Sequence, residues 1–377
     1  MENEKLFVRL LRSALWKEHI GIDCLTDEEY DGVMQWAQQH AVEALIGETL
    51  ISNNVTLSRE RAARLMGVIK MTERENIRKN LQLTEITEYL SQWNIGYHVV
   101  KGQVLATYYP SPLMRRSGDI DIFVPTDYLT AVRQLTQLEG MTCCKGYEKG
   151  KHQVMVRGGV VLELHRNLLL LATPRHRRAW QSFVSSMLQD DTDVVINGCQ
   201  VRTLSLYGHL VYVFMHLYFH LITSGVGLRQ LCDLAILLQW GVKECVDWEK
   251  VMTAITSFGC SAAFRAVVAC CVDELGVTTS LPIMLSKEDH RWGKRVFRNI
   301  LRAGNFGCAR RVIRTPGPLH QIETAVMVIR NSLSFLRLAP LETLMRARVI
   351  IENGKWKMKN GKWKMKNGKL SEQREQR

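Results

Sequence analysis

Two aspartates separated by a single residue, Asp119 and Asp121, lie in a short apolar run of the sequence. Residues i and i+2 of a strand point to the same face, so both carboxylates would face one cleft while Ile120 and Ile122 face the core. Two carboxylates on one face repel each other and are natural ligands for Mg²⁺, a hard cation that prefers oxygen. Such pairs are also common on solvated strand faces, which is the alternative interpretation.

The residues upstream of the aspartates suit the binding of a phosphate. A short β-rich run, residues 97–100, ends at Lys101 and Gly102, where we expect a helix to start. A glycine there lets backbone N–H groups approach an anion, and the N-terminus of a helix favours negative charge. This context makes a functional role for the two aspartates stronger than their spacing alone does.

A third carboxylate follows on a predicted strand at 160–166. Leu162 and Leu164 alternate with Glu163 and His165, so the leucines share one face and the two polar residues share the other. If this strand pairs beside the aspartates, Glu163 completes a two-metal site. Such a site activates an attacking hydroxyl and stabilises the leaving pyrophosphate.

These motifs together resemble an uncharacterised nucleotidyltransferase family of bacteria, within the DNA polymerase β-like, minimal nucleotidyltransferase superfamily. The resemblance covers about residues 30–340 and rests on several stretches of sequence: Lys101-Gly102, Tyr109-Pro110, Arg115, Gly118-Asp119-Ile120-Asp121-Ile122, Glu163-Leu164-His165 and Gly227-Leu228-Arg229-Gln230-Leu231-Cys232-Asp233-Leu234. One departure concerns the triphosphate. The superfamily's Gly-Ser helix start lies closer to its first aspartate, whereas here Gly102 precedes Gln103 and the segment to Asp119 is longer.

The resemblance implies a metal site and a nucleotide site. Asp119 and Asp121 would bind both metal ions, and Glu163 would complete the catalytic metal site or act as general base. The cofactor would be Mg²⁺ in a two-metal site, with Mn²⁺ as a substitute. The nucleotide-binding candidates are Lys101, Gly102, Arg115, Gly118, Arg229 and Asp233.

The candidates for nucleotide binding have different expected roles. Gly102 would offer backbone N–H groups to the β- and γ-phosphates. Lys101 and Arg115 would neutralise phosphate charge, or else lie on a solvated surface. Arg229 and Asp233 are four residues apart on a predicted helix, so they either pair with each other or contact the nucleotide or acceptor.

Three histidines follow helical spacing. His209, His216 and His220 would share one helix face. His216 and His220 could form half of a zinc site, but no third ligand is evident nearby, and we expect core or cleft histidines.

The elements that must position these residues predict an α+β fold. The predicted organisation is an N-terminal helical region at 1–94, a nucleotidyltransferase α/β core at 95–203 built on a small mixed sheet, a C-terminal helical domain at 204–349, and a basic tail at 350–377. Helical periodicity is strong at 28–50, 57–93 and 321–346. A further strand is predicted at 152–157.

The net charge of +13 is concentrated at the C-terminus, where the last 25 residues hold nine Lys or Arg and two Glu. Their seven-residue repeat, Asn-Gly-Lys-Trp-Lys-Met-Lys, has no apolar pattern for a coiled coil, so we expect a disordered tail with weak polyanion binding as the alternative. Ten cysteines without a Cys-x-x-Cys indicate reduced thiols. We expect a cytoplasmic protein without a membrane partner.

The sequence thus predicts a metal-dependent enzyme that transfers a nucleoside monophosphate from a nucleoside triphosphate to an acceptor hydroxyl and releases pyrophosphate. The acceptor stays open: a small molecule, a tRNA or a protein, as in toxin-like nucleotidyltransferases. Two other classes are alternatives. One is a nucleotide-binding regulator without turnover, and the other is a nucleic-acid-binding protein that works through the basic tail.

Overall fold

The computed structural model describes residues 2–144, 152–310, 318–353, 356–359 and 362–365. Helices and a mixed sheet confirm the α+β class that the sequence predicts. The helices are α1 Glu2–Trp16, α2 Asp27–His40, α3 Glu43–Ser52, α4 Arg59–Gln92, α5 Gly102–Ala106, α6 Tyr128–Leu135, α7 Pro174–Met187, α8 Leu206–Ile222, α9 Leu228–Lys243, α10 Trp248–Ser257, α11 Ser261–Leu275, α12 Lys287–Ala303, α13 Pro318–Phe335 and α14 Pro340–Asn353.

A seven-stranded sheet carries the central part of the chain. Its strands are β1 His98–Val100, β2 Ile120–Phe123, β3 Met141–Cys143, β4 His152–Arg157, β5 Val160–His165, β6 Asp191–Ile196 and β7 Cys199–Leu204. Their spatial order is β3-β4-β5-β2-β1-β7-β6. Two neighbouring pairs, β2 with β5 and β1 with β7, are parallel, and the other neighbours are antiparallel.

The two faces of the sheet belong to different apolar cores. Ile120 and Ile122 of β2 point to a core that is closed by the second half of α4. The opposite face, with Val100 and Phe123, joins a larger core that contains the N-terminal helices and the helices after residue 204. The strand period of two therefore separates apolar side chains from the polar face of β2 and β5, as the sequence predicts.

Helix α4 runs between these cores. Its first half buries Leu65 and Ile69 in the larger core, and its second half buries Leu83, Ile86 and Leu90 against the sheet. Ser58 caps its N-terminus by accepting a hydrogen bond from the Arg61 N–H. The cap supplies one of the partners that the first turn of a helix lacks.

The helix predicted at 28–50 is in fact two helices. α2 starts one residue earlier and is capped by Thr26, whose side chain and that of Glu29 form a reciprocal capping box. It ends at Ala41, which has a left-handed backbone with φ of 57°. Both α2 and α3 bury apolar residues in the same core, so the periodic pattern continues across the break.

The helix predicted at 321–346 is also divided. α13 ends at Phe335, and α14 begins at Pro340 after a single 3-10 turn. Proline has no backbone N–H and its ring collides with the preceding turn of a helix, so it starts a new helix here.

Four elements of the central region escaped the sequence prediction: β3, α7, β6 and β7. The strands β6 and β7 form a hairpin at one edge of the sheet, and their side chains are largely exposed. Because little apolar area is buried there, the strands lack the alternation that reveals a half-buried strand.

The predicted tail begins inside α14. Beyond that helix the structure describes two short strands, β8 Trp356–Lys359 and β9 Lys362–Met365, paired antiparallel. The predicted disorder therefore differs from the structure at these strands, and it stays a prediction for the rest of the tail, which lies outside the described residues.

None of the described helices combines the length and the apolar character that crossing a lipid bilayer requires. The described cysteines are free thiols, of which Cys232, Cys260, Cys270 and Cys271 are buried. Cys24, Cys199 and Cys245 are exposed.

Candidate active site

The pairing of β2 with β5 brings the carboxylates together. Asp121 lies directly opposite Glu163 in the parallel register, so both side chains leave the sheet on the same face. Asp119 lies just before β2. One oxygen from each of Asp119, Asp121 and Glu163 lies within 4.8 Å of the others. The three predicted metal ligands therefore form one cluster.

A strained residue aims an ammonium group at this cluster. Lys101, between β1 and α5, has φ of 58° and ψ of −141°, a region that residues other than glycine rarely adopt. Its Nζ donates to Asp121 Oδ1 at 2.7 Å and to His216 Nε2 at 3.4 Å. The lysine thus contacts a carboxylate directly, whereas the sequence suggested a phosphate partner.

Gly102 follows Lys101 and has a steric reason to be glycine. Its φ is +34°, and a Cβ at this position would lie 3.3 Å from the carbonyl oxygen of Asp119. Helix α5, which begins here, has only five residues. The close approach of the two backbone segments fixes the Lys101–Gly102 turn against the aspartates.

His165 contacts two of the carboxylates. Its Nε2 is 2.7 Å from Asp121 Oδ1 and 3.5 Å from Glu163 Oε2. Burial lowers the pKa of the imidazole, but its hydrogen bonds to Asp121 and Glu163 outweigh this effect and raise the pKa above its ordinary value.

The two aspartates have opposite pKa shifts. The charge of Asp121 is the main cause that raises the pKa of Asp119 to about 6, and burial adds to it. Burial also acts to raise the pKa of Asp121, but Lys101 and His165 together hold it well below its ordinary range. Asp121 therefore loses its proton first, and Asp119 carries the cost of their repulsion.

A second ionic group is formed by Arg115 and Asp233. Arg115 donates to both oxygens of Asp233, from Nε at 2.6 Å and from Nη2 at 2.7 Å, and Tyr109 donates its hydroxyl to the same carboxylate at 2.8 Å. All three side chains are buried. Asp233 thus pairs with Arg115, which is distant in sequence, and not with Arg229, which precedes it by one helical turn.

Helix α4 holds the loop that carries Arg115. The Asn76 side chain donates to the carbonyl oxygens of Leu113 at 2.7 Å and Arg115 at 3.0 Å. Lys79 Nζ donates to the Ser117 carbonyl at 2.5 Å. These contacts from a long helix fix the segment just before the aspartates.

Arg229 begins α9 and has a different environment. Its Nη1 donates to the carbonyl of Arg116 at 3.0 Å, and burial, the main cause, lowers its pKa. Among the described residues it forms no ion pair. Its guanidinium therefore lines the site without a carboxylate partner, as a site for an anion would require.

A cavity of about 410 Å³ is lined by both the carboxylate cluster and the Arg115–Asp233 pair. It is lined by each of the nine residues that the sequence nominated: Lys101, Gly102, Arg115, Gly118, Asp119, Asp121, Glu163, Arg229 and Asp233. These residues come from four separate stretches of the chain, and the fold brings them to one place.

His216 and His220 line the same cavity, and His209 does not. His220 Nε2 is 3.3 Å from His216 Nε2, and His220 Nδ1 is 2.9 Å from Ser224 Oγ. In the described part of the chain neither belongs to a group of three metal-binding side chains. His209 is buried against Thr203, and burial lowers its pKa to about 3.

The polar cavity residues that sequence reasoning missed include His152, Asn167 and Arg346. His152 lies on β4 directly opposite His165. Its strand was predicted, but only the register of β4 on β5 brings the imidazole to the site. Arg346 comes from α14, and its guanidinium stacks 4.2 Å from the Phe219 ring centroid.

Comparison with known proteins identifies the family. A family model described as uncharacterised nucleotidyltransferase matches residues 26–276, which is more than half of the chain, and confirms the predicted resemblance. No curated protein matches. Among solved structures, the crystal structure of an antigenic nucleotidyltransferase-like protein from Paracoccidioides brasiliensis is similar with a TM-score of 0.35 and 15% sequence identity, over 54% of this chain and 95% of that chain.

Proposed function

Because the chain belongs to the family of uncharacterised nucleotidyltransferases, we propose that it transfers a nucleoside monophosphate from a nucleoside triphosphate to an acceptor hydroxyl and releases pyrophosphate. The observation that carries the proposal is the cluster of Asp119, Asp121 and Glu163 at the base of the cavity. Three carboxylates lie within 4.8 Å of one another, and among the described residues Lys101 is the ammonium that donates a hydrogen bond to them. Such an excess of negative charge suits divalent cations.

The residues present fit Mg²⁺. All three carboxylates offer oxygen ligands, which this hard cation prefers, and Asp119 with its raised pKa is the member that gains most from an added positive charge. When bound, Mg²⁺ would polarise the α-phosphate and neutralise the charge that develops on the pyrophosphate. Mn²⁺ fits the same oxygen set.

Glu163 is the proposed general base. It has 22% of its side chain exposed, so it can face an acceptor that enters from the cavity. There it would accept the proton of the attacking hydroxyl while the aspartates hold the cations. His165, the competing candidate, has its Nε2 occupied by Asp121 at 2.7 Å.

The phosphates would bind along the side of the cavity that carries Arg229 and Lys101, here called the cationic wall. We assign their charge first to Arg229, which has no ion-pair partner among the described residues, and second to the Lys101 ammonium. The backbone at Gly102 and Gly118 borders the same space. Arg115 and Asp233 would shape this wall through their mutual pair, so they would position the nucleotide without giving it a free charge.

The test is a transfer assay with each nucleoside triphosphate labelled at its α-phosphate. The full chain is incubated with Mg²⁺ and, in parallel, with a cell extract, and the label is then located in small molecules, tRNA or protein. We expect Mg²⁺-dependent incorporation into one of these acceptor classes. Where the label goes identifies the acceptor, which the sequence leaves open.

Asp119→Asn is the variant that tests the site, and Asp193→Asn is its control, because Asp193 is an exposed acid on the edge strand β6. Label transfer should be lost in the first and unchanged in the second. Equal transfer by Asp119→Asn and the wild type, with both folded, would refute the assignment. Binding of the nucleotide with no transfer to any acceptor class would favour the regulator without turnover.

A further inference from the structure

Beside the aspartates, two imidazoles and a carboxylate converge on a second point. His152 of β4 lies directly opposite His165 of β5 in the antiparallel register, and Glu163 lies two residues before His165 on the same face. The ring centroids of the two histidines are 5.0 Å apart. One ligand atom from each of the three residues lies within 4.8 Å of the others.

The distances in this group suit a metal ion. His152 Nε2 is 3.6 Å from Glu163 Oε1, and His165 Nε2 is 3.5 Å from Glu163 Oε2. Metal–ligand bonds of roughly 2.1 Å in tetrahedral geometry place neighbouring ligand atoms about 3.4 Å apart. To bind the ion, His165 Nε2 would exchange its 2.7 Å hydrogen bond with Asp121 for a bond to the metal. His152, with 28% of its side chain exposed, leaves a path from the cavity.

The ligand types select a different ion from the one proposed for the aspartates. Imidazole nitrogen suits Zn²⁺, Co²⁺ and Cu²⁺, whereas Mg²⁺ prefers oxygen and keeps much of its water. Three protein ligands with an open position are also the usual ligand number of a zinc site that is accessible to solvent.

We propose that His152, Glu163 and His165 form a binding site for a transition-metal dication of the Zn²⁺ class, separate from the Mg²⁺ site and sharing Glu163 with it. The shared carboxylate is the part that rests on the proposed function. When the ion is bound, it occupies the carboxylate of Glu163, which the proposed function uses as general base. Occupation of the site therefore inhibits nucleotide transfer.

The test uses Co²⁺ as a spectroscopic probe on the full chain, without nucleotide. Co²⁺ held by nitrogen in a four-coordinate site gives visible ligand-field bands, while binding to an exposed thiol such as Cys24, Cys199 or Cys245 gives a near-ultraviolet charge-transfer band. We expect visible bands that saturate at one ion per chain and disappear when Zn²⁺ displaces Co²⁺.

His152→Ala tests the site, and His220→Ala is its control, since His220 lines the same cavity outside the triad. Loss of a ligand should weaken Co²⁺ binding about tenfold or more in the first variant, and leave it unchanged in the second. His165→Gln, checked for folding by circular dichroism, should weaken binding as well. Equal binding by wild type and His152→Ala, or only the thiolate band, would overturn the proposal.

The two proposals can fail separately. Asp119→Asn should keep the Co²⁺ bands although it loses Mg²⁺-dependent transfer, because Asp119 is not a ligand of the histidine site. Conversely, a wild type that shows the Co²⁺ bands but no nucleotide transfer would support the histidine metal site and contradict the proposed function. In an active wild type, Zn²⁺ should inhibit transfer. Inhibition of His152→Ala should need about tenfold more Zn²⁺, in line with its weaker binding.

Discussion

The carboxylate cluster and the Arg115–Asp233 pair lie in the same cavity and both bury ionised groups, but they balance charge differently. Arg115 matches Asp233 with two parallel hydrogen bonds, and Tyr109 adds a third to the same carboxylate. Asp119, Asp121 and Glu163 lie beside the ammonium of Lys101 and the imidazoles of His165 and His152. Breaking a matched buried pair leaves one charge without a partner and destabilises the fold, whereas a cluster with excess negative charge favours the binding of a cation.

The largest effect should come from the cluster itself. Glu163→Gln keeps the shape of the side chain but removes the proposed base, so kcat should fall by about 10²- to 10⁴-fold. Nucleotide affinity, measured by titration calorimetry, should change much less because Arg229 and Lys101 are retained. The matched variant Glu85→Gln removes a surface acid that pairs with Arg157 and should leave kcat unaltered. A normal kcat in Glu163→Gln would remove the glutamate from the mechanism.

Breaking the Arg115–Asp233 pair should lower the stability of the fold. Arg115→Met leaves Asp233 buried without its partner, which costs about 3–5 kcal/mol of unfolding free energy, measured by urea denaturation. The double variant Arg115→Met with Asp233→Leu removes both charges and should recover most of this loss. If the double variant is as unstable as the single one, the packing of the methionine is at fault and the charge imbalance is not.

Neutralising the charge of Asp119 should raise the free energy of unfolding, whereas Arg115→Met lowers it. Asp119 has a folded-state pKa of about 6, above its ordinary 3.8, so between these values the folded protein holds more protons than the unfolded chain. Stability of the metal-free protein therefore falls as the pH rises from about 4 to 6. At pH 7, Asp119→Asn should stabilise it by roughly 1–3 kcal/mol.

The readout for Asp119→Asn is thermal unfolding in EDTA at pH 5 and pH 7. The gain should be larger at pH 7 and should shrink when Mg²⁺ is added, because the cation stabilises only the wild type. A variant that is less stable than the wild type at both pH values would show that neighbouring groups already balance the charge of Asp119.

The smallest stability effect should be that of Arg229, and it distinguishes this residue from Arg115. Arg229→Met loses one hydrogen bond to the Arg116 carbonyl and strands no carboxylate, so unfolding free energy should change by about 1 kcal/mol or less. Nucleotide affinity should nevertheless fall about tenfold or more, as for loss of a charged hydrogen bond. A destabilisation as large as that of Arg115→Met would mean that Arg229 is structural.

Local patterns in the sequence were enough to nominate the cluster. The i, i+2 spacing placed Asp119 and Asp121 on one face, and the alternation around Glu163 placed it on a strand whose parallel register with β2 then brought it opposite Asp121. Both depend only on the period of a strand, which neighbouring residues determine.

Contacts between distant residues could not be obtained in this way. The i, i+4 spacing made Arg229 the evident partner of Asp233, yet Asp233 pairs with Arg115, 118 residues away. His152 reaches the site only through the register of β4 on β5. Such pairings depend on how separate elements pack, which periodicity does not contain.

One missed element did leave a local signal. Asn197 and Gly198 join β6 and β7, and both have positive φ, at 50° and 76°. Asn-Gly is the preferred dipeptide for a two-residue hairpin turn with this backbone, so the turn was readable even though the strands on either side were not.

The path of α4 has a consequence for folding. Leu83, Ile86 and Leu90 close one face of the sheet, while Leu65 and Ile69, on the same unbroken helix, are buried among the other helices. Neither core can lose its part of α4 without weakening the other. We therefore expect one cooperative unfolding transition, and a fragment that starts at residue 95 would expose the apolar face of its sheet and aggregate. Evolution of new specificity in this chain would then proceed through residues that line the cavity, since the two cores joined by α4 cannot be exchanged independently.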